Sequence, residues 1–174
     1  AEAGFVTMPG VIRRMSFQNL DPRPVLPADI PWLRERFQAE WDDVDFSWIR
    51  GLDINEWVIP GVNALMWRTE DGRRAAYTIT PPGQRKINTV IADDPELARD
   101  VIATAKPEKL EHHPSGWLAR NVLEPNWSTT EVKNSKAAMV CELQKGTLKP
   151  YLDAVEAGER LLGHCIWPLP ILMC

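Results

Sequence analysis

The chain has 174 residues, 44% of them hydrophobic and 25% charged, which supplies one buried core and argues against wholesale disorder. Twenty-four acids against 20 lysines and arginines leave a net charge of −4, and this argues against a dedicated nucleic-acid binder, because neutralising phosphates takes a basic excess. No apolar run approaches the roughly 20 residues of a membrane span, and Cys141, Cys165 and Cys174 are too few for a disulfide scaffold.

Residues 1–27 hold Pro9, Pro22, Pro24 and Pro27 without helical periodicity, which predicts an extended proline-rich N-terminal arm with one strand around Val11–Phe17. The chain does not open with methionine, so a processed start or an added remnant is expected: Ala1-Glu2-Ala3 resembles the spacer left by a secretion leader, and a cleaved organelle-targeting segment would leave a similar beginning. Asp29 ahead of Ile30-Pro31 is a helix start. Leu33, Phe37 and Trp41 then recur at i, i+4 and i+8, giving about three turns that end near the aspartates.

Val62–Arg68 and Arg74–Thr80 flank Glu70-Asp71-Gly72, and Asp-Gly between apolar runs predicts a hairpin. Lys86–Ala92 follows as a third strand. Asp94-Pro95-Glu96 supplies an N-cap acid, a first-turn proline and a first-turn acid for a short amphipathic helix reaching Ala105. Lys106–Pro114 reads as polar loop, and Gly116–Glu124 fits strand and helix equally. Ser128 with Glu131 makes a capping box for a further helix, and Leu148, Leu152, Val155 and Leu162 mark a last one, weakened by Gly158.

The expected architecture is therefore α+β, a small antiparallel sheet packed against about four helices. The domain is expected over 28–163, between the arm at 1–27 and an apolar C-terminal tail at 164–174. Pro168 and Pro170 bar that tail from a regular helix or a central strand, so it reads as an extended segment seeking a groove, on its own chain or another.

Phosphate loops, Gly-x-Gly-x-x-Gly, His-Glu-x-x-His and Gly-x-Ser-x-Gly are all missing. Glu111-His112-His113 and His164 lack metal-ligand spacing, so no metal and no cofactor is expected. Arg73, Arg74, Arg85 and Lys86 read as a solvated strand face ahead of an anion site.

The outstanding local feature is tryptophan. Five of eight, Trp32, Trp41, Trp48, Trp57 and Trp67, stand close together around Asp42, Asp43 and Asp45. Residues 21–60 carry nine acids against four arginines. Rigid amphipathic rings beside carboxylates suit a protein partner with a basic surface, or a cationic group held over a ring face. Any single tryptophan is more commonly core, but the cluster nominates Trp32, Trp41, Asp42, Asp43, Asp45, Trp48 and Trp57 as a binding set. The function expected is a protein-interaction domain, an accessory subunit or acidic inhibitor-like partner. The alternative is a small enzyme or ligand-binding domain with a tryptophan-lined pocket and Asp/His acid-base groups, and a sugar-binding module comes third.

Overall fold

The structure, a computed structural model, describes residues 5–9, 19–40, 42, 51–58, 60–112, 116–123, 130–132 and 144–160. Within these the chain is mixed α+β, with four helices and two four-stranded sheets. The first sheet is an antiparallel meander of β2 (Leu20–Pro24), β3 (Asn63–Thr69), β4 (Ala75–Thr80) and β6 (Thr89–Ala92). The second places β5 (Lys86–Ile87) parallel to β7 (Lys109–His112), then β1 (Phe5–Pro9) and β8 (Thr130–Val132), both antiparallel.

Strand alternation divides the core in two. From β3, β4 and β6, the side chains of Ala64, Met66, Ala75, Tyr77, Ile79 and Ile91 turn toward α1 (Ile30–Glu40), which contributes Ile30, Leu33 and Phe37. The alternate residues Trp67, Ala76, Val90 and Ala92 face α2 (Pro95–Ala105), where Leu97, Ala98, Val101 and Ile102 meet them. The meander is thus covered on both faces, which is why β4 reads as a continuous apolar run.

Local signals place most of this framework. Gly72 takes φ 68 at the hairpin tip, a conformation that glycine adopts at little cost. Asp94 caps α2 by accepting from the Leu97 N–H at 2.8 Å, and Lys106 ends the helix in the left-handed region. Pro22 and Pro24 lie on β2, an edge strand of the meander, where a missing N–H breaks no ladder bond.

Three sequence expectations change. The expected strand Lys86–Ala92 is divided at buried Asn88. Lys86 and Ile87 pair with β7, Thr89–Ala92 pair with β4, and the Asn88 N–H donates to the Ile79 carbonyl at 2.9 Å. The polar loop expected over Lys106–Pro114 contains β7, whose alternation buries Leu110 and His112. The capping box of Ser128 and Glu131 does not start a helix at Glu131, which lies in β8 opposite Val6. Gly116–Glu124 resolves as α3 (Trp117–Asn121), and the last helix is α4 (Leu148–Glu156).

The stretch expected as an arm contributes β1 and β2, each paired in a sheet. Val11–Phe17 and the tail at 164–174 lie outside the described residues. No helix among the described residues is long and apolar enough to cross a membrane.

Candidate functional site

The tryptophan–aspartate stretch follows the end of α1 in sequence and precedes a short 3-10 turn, Ile54–Glu56. Both flanks are tied to the core. Leu33 and Phe37 seat α1 against the sheet, and Trp57 closes the return. Trp57 is fully buried, edge-on to Phe37 (centroids 5.9 Å, planes at 86°) and to Tyr77 (6.4 Å, 81°). Its indole N–H donates to the Gly51 carbonyl at 3.2 Å, and its own carbonyl accepts the Tyr77 hydroxyl at 2.5 Å.

The returning loop is further pinned through Glu56, whose carboxylate accepts the Gly51 N–H at 2.7 Å. Asp53 accepts from the Asn55 N–H at 2.9 Å and caps the turn. Held between these bonds, Leu52 is 58% exposed, and Asp53 is exposed beside it. At the other flank Asp42 is exposed just past α1.

Trp32 is half-buried against the α1 core, and its indole N–H donates to Asp93 at 3.0 Å. One helical turn later Arg36 reaches the same Asp93 oxygen at 2.8 Å, while the other oxygen accepts the Ala75 N–H at 2.6 Å. Trp32 therefore has its polar edge committed within the fold and only part of its ring facing outward. Trp57 is enclosed, so its ring anchors the returning loop and is not presented at the surface. Trp41, Asp43, Asp45 and Trp48 lie outside the described residues.

Two carboxyls flanking α1, Asp29 and Glu40, were not nominated as site residues by sequence. Asp29 is buried and accepts both Arg23 guanidinium nitrogens at 2.7 Å, the Leu26 N–H at 2.9 Å and Arg68 at 3.2 Å. Burial alone would raise its pKa, but the Arg23 bonds, the Leu26 N–H and Arg68 together hold it below the ordinary carboxylate value. Glu40 ends α1 with its Oε1 buried and without a hydrogen-bond partner. Burial pushes this carboxyl well above its ordinary value, against the pull of Arg120 and Arg36. Arg120 donates to the Glu40 carbonyl at 3.4 Å, linking α3 to the end of α1. A carboxyl that burial makes harder to ionise thus stands immediately before the tryptophan–aspartate stretch in sequence, and no local sequence pattern marks it.

The cations of the hairpin region are drawn into pairs. Arg73 lies 3.7 Å from Asp71, Arg74 3.1 Å from Asp94 and Arg85 2.9 Å from Glu108, and Lys86 bonds Glu111. His112 is buried in β7, and His113 and His164 lie outside the described residues. Among the described residues no three His, Cys, Asp or Glu side chains converge on a common point.

No family model matches the chain, and no curated protein or solved structure does either.

Proposed function

We propose that the chain is a protein-interaction domain, an accessory subunit or acidic inhibitor-like partner, that docks on a basic protein surface through the stretch between α1 and Trp57. The observation that supports this is the pair of rigid flanks. One exposes Asp42 off a core-seated helix, and the other exposes Leu52 and Asp53 from a loop fastened by Trp57 and Glu56. Apolar and acidic groups held out of the core by fixed backbone have little ordering entropy left to lose on binding. Trp41, Asp43, Asp45 and Trp48 lie between these flanks in sequence and supply the large rings and charge that interfaces favour.

The test is a pull-down by the full chain with mass spectrometry of what is retained, beside a Trp41→Ala/Trp48→Ala double variant checked by thermal melting. A stoichiometric partner lost in the variant, at unchanged Tm, supports the proposal. Variants that melt earlier yet retain the partner would assign these rings to the core.

Glu40 favours a second reading. A carboxyl whose buried Oε1 has no hydrogen-bond partner, and whose pKa burial raises, is a group that ligand pockets and acid catalysts employ. Under this reading the domain holds a small molecule, and a thermal-shift screen of metabolites yields a ligand whose effect disappears in Glu40→Gln. A screen whose shifts are the same in both proteins speaks against it.

A further inference from the structure

We propose that Asp71-Gly72, at the tip of the β3–β4 hairpin, is a site of aspartate isomerisation that the folded turn holds closed and that reacts when the hairpin opens. Asp71 is the one aspartate of the chain followed by glycine, and no asparagine is followed by one. Succinimide formation needs the next residue's backbone nitrogen to reach the side-chain carboxyl carbon, and a glycine, without a Cβ, leaves that approach unobstructed. In this reaction the Gly72 nitrogen bonds to Asp71 Cγ. The Gly72 amide proton and the hydroxyl of the protonated carboxyl leave together as water. A second water then opens the ring. Attack at Cγ restores aspartate. Attack at the main-chain carbonyl breaks its bond to the Gly72 nitrogen and leaves the chain running through the side chain, as isoaspartate. Water is the one co-reactant, and no mass is gained or lost.

Folded, the turn withholds both reacting groups. The Gly72 N–H donates to the Thr69 carbonyl at 2.8 Å, which retains the proton that the nitrogen has to lose. Asp71 Oδ1 accepts the Thr69 hydroxyl at 2.6 Å and the Arg73 N–H at 3.0 Å, and the two bonds fix the carboxyl in place. The Thr69 bond, with the Arg73 N–H behind it, also holds this carboxyl below the ordinary carboxylate range, and an ionised carboxylate is a poor electrophile. Thr69 is itself set by the ladder. It is buried, its N–H donates to the Arg74 carbonyl at 3.1 Å, and its hydroxyl accepts the Arg74 N–H at 3.2 Å. Asp71 and Gly72 are exposed, so water reaches them as soon as these bonds part. The restraint thus lies in a buried threonine of β3, and the labile pair lies at the surface.

The test is incubation of the full chain at physiological temperature and neutral pH, with isoaspartate at residue 71 read by electron-transfer fragmentation of a digest. In the folded wild type it is expected to accumulate at least about tenfold more slowly than in a synthetic peptide of residues 66–76, since reaction proceeds through local opening. Wild type unfolded in urea should react at the peptide's rate in the same urea. Thr69→Val keeps a branched side chain on the strand and removes the hydroxyl. Its folded rate should rise about fivefold over the wild type at unchanged far-UV spectrum, the factor that one lost hydrogen bond is worth. A folded wild type that reacts at the peptide's rate overturns the proposal, as does an unfolded chain in which residue 71 stays aspartate. An unchanged rate in folded Thr69→Val overturns it as well, because the Thr69 contacts would not then govern the reaction. Should Thr69→Val fail to fold, the wild-type comparison of folded, unfolded and peptide rates decides alone.

Discussion

Asp29 and Glu40, at opposite ends of α1, show how one residue type takes opposite charge preferences from its surroundings. Asp29 is met by Arg23, Arg68 and a backbone N–H, so the ionised form is favoured in the folded state. Its contribution is present above the unfolded value of about 3.9 and is lost as pH falls through the lower folded value. Asp29→Asn should destabilise the domain by about 2 kcal/mol near neutrality and flatten the acid limb of the stability curve, read from urea melts at several pH values. That figure lies below the range for fully buried pairs because Arg23 and Arg68 remain partly in water. Glu40 has the reverse sign. Its folded value is raised, so stability falls as pH rises from the unfolded value of about 4.3 through the folded one. Glu40→Gln removes the titration, and its Tm should gain on the wild type over the pH span that rises from the unfolded value of about 4.3. A constant Tm difference across that span would show that Glu40 ionises normally.

Elements whose signals are local were legible in the sequence. α1 follows Asp29 and Ile30-Pro31, the β3–β4 hairpin turns at Gly72, and α2 starts at its Asp94 cap. Asp94→Ala removes that cap and the Arg74 pair, and should cost about 1 kcal/mol in a denaturant melt. The elements that differed depend on distant partners. β7 is a Lys-Leu-Glu-His run whose alternation gains meaning once β1 and β5 lie on either side. Glu131, the last residue of the capping-box spacing that begins at Ser128 in sequence, lies in β8, where it pairs with β1. The break at Asn88 follows from one segment serving two sheets, which no window of neighbouring residues encodes.

The loop behind Leu52 is the element on which the candidate site depends most directly. A Cβ on Gly51 would collide with the Glu56 carboxylate that accepts its N–H. Gly51→Ala should therefore displace Glu56 and cost about 1 kcal/mol, while Trp57→Ala should cost about 3–5 kcal/mol by emptying the contacts to Phe37 and Tyr77. Of the tryptophans nominated from sequence, Trp57 is enclosed and Trp32 is half-buried. The same bulk and polar edge suit a core or an interface, so composition alone does not sort them.

Across the whole molecule, charge is organised around arginine–carboxylate pairs that join elements: Arg23 and Arg68 to Asp29, Arg36 to Asp93, and Arg74 to Asp94. Under the proposed function, the net charge of −4 and the acids at Asp42 and Asp53 are what a basic partner would meet. The proposed association should accordingly weaken as salt is raised, since exposed charges are screened within a Debye length of about 8 Å at physiological ionic strength. Most direct is the partner-retention assay comparing the wild type with Trp41→Ala/Trp48→Ala at matched Tm. Loss of a stoichiometric partner in the double variant, with melting unchanged, is the predicted result. Retention of the same partner by a variant that melts earlier would contradict the proposal and return the two rings to the core.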